Sequence, residues 1–322
     1  MALGRGATLA RSGLSFSVAR RSPGLLYALL AYTAWGIFPV YFKALVGVPA
    51  LEVLAHRILW SLVLLAVVAP LFGRFTTALY ALSRAKVLTV LSSATLLAAN
   101  WLTYIWAVQA GRVLEASVGY FVNPLVSVLL GVFVLRERLR RVQVLAIALA
   151  GLGVLALVIR LRALPWLPLT LALTFGLYGL VRKQAGVDAV GGLLAETVLL
   201  AAPAFALVFL RARAGVAAFG RDLPTSLLLA AAGPITAVPL VWFALGVQRL
   251  KLSTVGVLQY VTPTLQFLLA VALYREPFGS AHAIAFGFIW SALALYTWDA
   301  LRALRTGAPG AGVALPTPPI EG

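Results

Sequence analysis

Only nine acidic residues and two histidines occur in the 322 residues of this chain, so the groups able to do chemistry can be weighed one by one. Glu52, His56 and Arg57 fall within one apolar segment, and Glu196 falls within another. Glu52 and His56, four positions apart, share a helix face. Glu52 opens its segment and is expected at the membrane interface. If the apolar boundary is at Leu51, Arg57 lies about 9 Å deeper at roughly 1.5 Å per residue. It then either lines or gates a substrate path, or serves as a structural or snorkelling cation. Glu196 can pair with Arg57, take up a coupling proton, contact a cationic substrate, or act only as a counter-ion. One acid and one base at the site give a nearly neutral field, which fits an amphipathic substrate.

The catalytic alternatives are thin. No nucleophile is placed beside His56, and the chain has no Walker loop, HExxH or GxSxG. Catalytic residues are therefore not expected, and ATP hydrolysis is not the energy source. With no cysteine and two histidines, neither a metal site nor a cofactor is expected.

The uncharged polar residues are more suggestive. Tyr120, Asn123 and Ser127 follow one helix face, and Gln259, Thr262 and Gln266 repeat the pattern. Lining of a cavity and helix–helix packing both account for such faces. Pro124 and Pro263 each remove a backbone hydrogen bond and can kink their helices. Trp35, Trp101, Tyr120 and Tyr260 can form an aromatic wall for a ring-bearing substrate, with core packing as the alternative. Glu115, Glu137 and Glu276, each close to an arginine at a segment end, are expected as exposed or interfacial charge pairs, and His282 as an interfacial residue. Gly151 and Gly153 are expected to permit close helix approach.

The elements that must position these residues follow from hydropathy. Apolar residues make up 62% of the chain and charged residues 11%, and the mean hydropathy is +1.00. A soluble domain of average composition is roughly 45–50% apolar and about 25% charged, so the bilayer is the expected solvent. Continuous apolar runs, without alternation, exclude a β-barrel. Ten runs long enough for helices occupy about 24–43, 51–72, 87–108, 114–135, 142–160, 165–182, 190–210, 224–247, 253–274 and 280–299. The basic tail at 1–23 and the Pro- and Gly-rich tail at 301–322 are expected to be disordered.

The net charge of +17 would suggest nucleic acid in a soluble protein. Here the basic residues cluster between apolar runs, as expected of loops facing anionic headgroups. Seventeen Lys and Arg fall on the side of the termini and eight on the other. Positive residues stay inside, so both termini are expected in the cytoplasm.

The chain also resembles itself. Residues 109–140 align without gaps on 248–279, so that Gln109 meets Gln248, Pro124 meets Pro263, and Arg136-Glu137 meets Arg275-Glu276. At an offset of 140, His56 meets Glu196. Each repeat, 24–160 and 165–300, then holds five spans. Five is odd, so the second copy is inverted, which is a recurrent build for secondary transporters with a midplane site between repeats. Two nearly equivalent packings then give alternating access.

The phrases AYTAWGIFPVYFK (31–43), EVLAHRILWS (52–61), NWLTYIWAV (100–108), LEASVGYFVNPL (114–125), LYGLVRK (177–183) and LSTVGVLQYVTPTLQFLLAV (252–271) resemble the RarD branch of the EamA-type proteins in the drug/metabolite transporter superfamily. The resemblance covers about residues 24 to 300. It implies an all-α integral membrane protein of ten helices with two EamA repeats, in a bacterial inner membrane, acting as a permease. Taken together, the expected function is a non-ATP transporter of small amphipathic metabolites or drugs, more readily an exporter. Its expected partners are the substrate, the bilayer and, if transport is coupled, protons, with no nucleic acid. Monomer and homodimer both fit. A non-transporting sensor or scaffold is the alternative, and an intramembrane enzyme a weaker one.

Overall fold

A computed structural model describes residues 23–306, apart from 72, 74, 84–85, 137–138, 163, 248, 251–254 and 256–257. The expectations for the two tails, for Glu137 and for Gln248 lie outside the described residues. The protein is an all-helical membrane protein. Its helices are α1 (Pro23–Gly36), α2 (Phe38–Lys43), α3 (Ala50–Leu71), α4 (Phe75–Ala81), α5 (Val87–Gln109), α6 (Val113–Leu135), α7 (Arg141–Leu161), α8 (Trp166–Ala185), α9 (Ala189–Arg213), α10 (Leu223–Val247), α11 (Val261–Leu268) and α12 (Ser280–Thr306).

Eight helical stretches among the described residues are long and apolar enough to cross a bilayer by length and composition. The sixth and ninth of the ten expected segments correspond to shorter apolar helices, Trp166–Arg182 and Val261–Leu273. The first segment breaks at Ile37, with Pro39 in the first turn of α2, where a missing amide is tolerated. The ninth is also broken. Gln259 and Tyr260 form a turn, α11 starts at Val261, and a π-helical stretch follows at Leu269–Leu273. Pro263 thus sits in a first turn, while Pro124 lies within α6. The basic stretch between the second and third segments adds the short helix α4.

Connections 44–49, 110–112, 162–165, 214–222 and 274–279 gather at one end of the bundle, called distal here. The amide of Gln109 donates to the carbonyls of Leu45 and Val48 there. At the proximal end, Lys86 donates to the Ala185 carbonyl. α7 and α12 pack as a pair, and a Cβ at Gly153 would lie 3.0 Å from the Ala285 carbonyl. No neighbour approaches Gly151 within 4 Å of a built Cβ. Arg136 and Arg275, which the self-alignment pairs, both take a left-handed backbone, with φ of 55° and 53°.

Candidate substrate site

Arg57 sits on α3 with 5% exposure. Its Nε donates to Thr236 Oγ1 on α10 at 2.9 Å. This pairing depends on the approach of the two helices one turn away, where a Cβ at Gly233 would lie 2.5 Å from the Trp60 carbonyl oxygen. The guanidinium carbon is 3.8 Å from the centroid of the Trp101 ring, 5.7 Å from Phe38 and 5.8 Å from Phe42. Tyr41, Tyr104 and Tyr120 lie within electrostatic reach. A cation over a ring in a dry setting gains about 2 kcal/mol, which offsets part of the roughly 2.5–3.5 kcal/mol that a charge costs in the bilayer. Arg57 Nη1 and the Tyr104 hydroxyl are both buried without a hydrogen-bond partner among the described residues.

Of the roles left open for Glu196, pairing with Arg57 is not the one seen among the described residues, where its partners are Ser93, Tyr178 and Arg182. Glu196, with 0% exposure, lies toward the proximal end and accepts hydrogen bonds from Ser93 at 2.6 Å and from the Tyr178 hydroxyl at 3.3 Å. Arg182 Nη1 stands 3.5 Å from its Oε1. Arg182 reaches it across Gly192, where a Cβ would fall 1.5 Å from Nη1. Gly192 aligns with Glu52 at the 140-residue offset, so the place of a carboxylate in one repeat is taken in the other by a crossing guanidinium.

Glu52, expected at the membrane interface, opens α3 beside the distal 214–222 connection. It is fully buried, and its carboxylate accepts Arg211 Nε and the Ala218 amide, each at 2.7 Å. His56, beside it, stacks on Phe219 of the 214–222 connection, with centroids 5.1 Å apart. His56 therefore faces the distal connection, and Arg57 faces the aromatic centre. Glu276 is not paired with an arginine either. Its two oxygens accept the amides of Val113 and Leu114 at 2.8 and 2.7 Å, capping α6 from the other repeat. Burial lifts the Glu276 carboxyl above its ordinary value, while the two amides and Lys43 pull it back. Glu115 forms the expected pair, with Arg112 on both oxygens at 2.7 Å. His282 stacks on Phe278 at 6.2 Å.

The expected aromatic wall divides into three places. Trp101 is at Arg57, with Tyr120 close by. Trp35 packs against Tyr32 and Phe243, both at 5.5 Å or a little more. Tyr260 borders an apolar groove with Phe121, Thr264, Trp290 and Trp298. On α11, Thr262 donates to the Tyr32 carbonyl at 2.8 Å and Gln266 to the Trp35 carbonyl at 3.3 Å, tying the ninth segment to the first. Gln259 lies in the turn before α11. Asn123 keeps a buried Oδ1 without a partner among the described residues.

One connected feature escaped the sequence. Rings form a ladder from Phe42 to Tyr104 (5.9 Å), Tyr120 (5.5 Å), Phe175 (6.5 Å) and Tyr178 (5.8 Å). One end meets Arg57 and the other meets Glu196. Ser93, Thr236, Tyr178, Arg182 and Arg211 were not foreseen as members of these clusters: Ser93, Thr236 and Arg211 pair across more than 100 positions, and Tyr178 and Arg182 reach Glu196 from the preceding helix.

The profile of the EamA-like transporter family matches residues 22–159. Over 284 residues the chain is 43% identical to Protein RarD of Escherichia coli (strain K12), covering 88% of this chain and 96% of that protein. The chain belongs to the RarD branch of the EamA family. Among other relatives of this RarD-branch chain is an uncharacterized transporter of Pseudomonas aeruginosa, 46% identical over 88% of this chain and 95% of its own length. The same organism has a protein called Chloramphenicol-sensitive protein RarD, 35% identical over 88% of this chain and 97% of that protein. A solved crystal structure shares the fold, with a TM-score of 0.56 and 20% identity, covering 87% of this chain and 98% of that one. As a RarD-branch EamA protein, the chain is a multi-pass membrane transporter.

Proposed function

We propose that this transporter exports small amphipathic metabolites or drugs by alternating access, through a site between its two repeats near the bilayer midplane. The observation that carries the reading is that, besides the bonds of Asn100 to α8 and of α11 to α1, the repeats are joined by one set of polar bonds on the distal side and another on the proximal side. Glu52 to Arg211 and Ala218, Arg57 to Thr236, and Glu276 to Val113 and Leu114 tie the halves together distally. Ser93 to Glu196 and Lys86 to Ala185 tie them proximally. Releasing one set while the other holds would open one end at a time, which is the requirement for alternating access. Each bond lost by one state must be replaced in the other, so the two packings can differ by only a few kcal/mol.

In this reading the protein lies in a bacterial inner membrane, with repeats at 24–160 and 165–300 and both tails in the cytoplasm. His56, Arg57, Trp35, Trp101, Tyr120, Asn123, Glu196, Gln259, Tyr260 and Thr262 line the path or hold it in place. Glu196 is the candidate coupling group, since it is the buried carboxylate with hydroxyl donors from both repeats. The tight ring packing of the centre favours a second reading, a non-transporting scaffold.

Flux of labelled amino acids and amphenicol-like drugs in proteoliposomes, with and without an imposed pH gradient, tests the proposal. Accumulation that needs the gradient supports coupled transport, and equilibration without it supports a facilitator. No flux above protein-free vesicles, for any compound in either orientation of the gradient, would sink the reading and leave the scaffold.

A further inference from the structure

The charge arrangement at Arg57 bears on what the site would hold. Seven acidic residues lie among the described ones. Glu52 is bound by Arg211, Glu115 by Arg112, Glu196 stands by Arg182, and Asp299 is bound by Arg140. Asp188, Asp222 and Glu276 accept backbone amides at helix starts. None of these seven forms an ion pair with Arg57, and the titratable groups within its electrostatic reach among the described residues are Tyr41, Tyr104 and Tyr120. A buried guanidinium held by one hydroxyl and a ring is a cation short of its anion.

Two donors without a partner among the described residues, Arg57 Nη1 and the Tyr104 hydroxyl, are buried on side chains within electrostatic reach of each other. A carboxylate has two oxygens and about four acceptor positions, and it satisfies both donors at once. The walls beside them are the faces and edges of Trp101, Phe38, Phe42 and Tyr120. Such walls accept a planar apolar body. The remaining requirement concerns a positive group on the ligand. With every described carboxylate engaged elsewhere, an ammonium beside Arg57 would meet a like charge and no counter-ion.

From this arrangement we infer that the transported compound is an organic monocarboxylate with an aromatic body, its carboxylate bound by Arg57 and Tyr104. The inference rests on the proposed transport function and narrows its substrate class from amphipathic compounds to anionic ones.

The test compares three probes of one shape: 3-phenylpropionate, phenylalanine and phenethylamine. Binding of each radiolabelled probe to the purified full chain in detergent is measured by scintillation proximity, which avoids passive leak of the neutral acid across vesicles. 3-Phenylpropionate is expected to bind at least about tenfold more tightly than the other two, since losing a charge-assisted bond costs about 1.5–3 kcal/mol. Arg57→Gln is expected to weaken it by about 100-fold. Tyr104→Phe removes only a hydroxyl without a hydrogen bond among the described residues, so the fold should be retained, and a roughly tenfold loss is expected.

Equal binding of the three probes, tighter binding of phenylalanine or phenethylamine, no binding of any, or an unchanged affinity in Tyr104→Phe would each overturn the inference. Failure of the transport proposal is a separate result. Carboxylate binding with no flux would leave this site standing as a receptor pocket, whereas flux of other compounds without carboxylate binding would refute the substrate class alone.

Discussion

Arg211 binds Glu52 across 159 positions of the chain, Nε to Oε2 at 2.7 Å, and so joins the start of α3 to the end of α9. Glu52 is fully buried, and Arg211 keeps 28% side-chain exposure. The two single mutants should therefore differ. Arg211→Ala leaves a buried carboxylate without its cation and should cost about 3–5 kcal/mol. Glu52→Ala leaves a guanidinium that can turn to water and should cost less. A double-mutant cycle on thermal unfolding in detergent checks this. Equal single costs with no coupling would show that the pair contributes nothing.

Glu196→Gln keeps one acceptor oxygen, enough for Ser93 or Tyr178, turns its amide on the other hydroxyl as a donor, and removes the charge and the exchangeable proton. If Glu196 is the coupling group, flux driven by a pH gradient should fall to the protein-free level while the protein still accumulates in the membrane. Unchanged gradient-driven flux would remove that role. Equilibration without a gradient should survive in the variant, since the ring ladder is untouched.

The distal latch at Glu276 has a pH dependence whose sign can be worked out. Its carboxyl lies above the ordinary value in the latched form, with burial as the main cause. Released into water it returns to the lower, ordinary value. The latched form therefore binds the proton more tightly, and acid favours the latch. That stabilisation is fully present below the ordinary carboxylate value and is lost as pH rises through the raised one. Hydrogen exchange at the Val113 and Leu114 amides, corrected for intrinsic rate, should slow on acidification through this window. Glu276→Gln should abolish the response, and an opposite slope in the wild type would refute it.

Gly233→Leu should separate α10 from α3, because even a Cβ there falls 2.5 Å from the Trp60 carbonyl and 2.8 Å from Trp60 Cβ. Backbone must move, at a cost of typically 1–3 kcal/mol. Thr236, three residues on, should lose its bond to Arg57. A lowered melting temperature with altered Trp101 fluorescence is the expected outcome, and native values for both would show that the helices are not in register as described.

Much of this architecture is written in hydropathy. The second to fifth expected segments begin and end within a residue or so of α3, α5, α6 and α7, because apolar length decides what crosses a bilayer. The breaks at Ile37 and at Gln259–Tyr260 were not legible, since neither Pro39 nor Pro263 says where a helix stops. At the site, sequence singled out Arg57, Glu196 and Trp101 as unusual for a membrane interior, which composition alone reveals. It left the partner of Glu196 open. The partner of a buried charge is chosen by packing across the repeats, and neither Arg182 nor Arg211, both near segment ends, looked different from an ordinary loop cation. Phe175 and Tyr178, which complete the ladder, carry no charge, and the Tyr178 hydroxyl alone does not distinguish it from the tyrosines common at membrane interfaces.

The ladder has an electrical consequence. Five rings in edge-on and tilted contact between Arg57 and Glu196 form a layer of low dielectric constant, and a membrane potential drops mainly across such layers. The stretch from Phe42 to Tyr178 then acts as the insulating film of a capacitor. A full elementary charge crossing it exchanges about 2.3 kcal/mol per 100 mV. Any rearrangement that carries the Arg57 charge, or an anion bound to it, across this film makes the transport cycle sensitive to voltage.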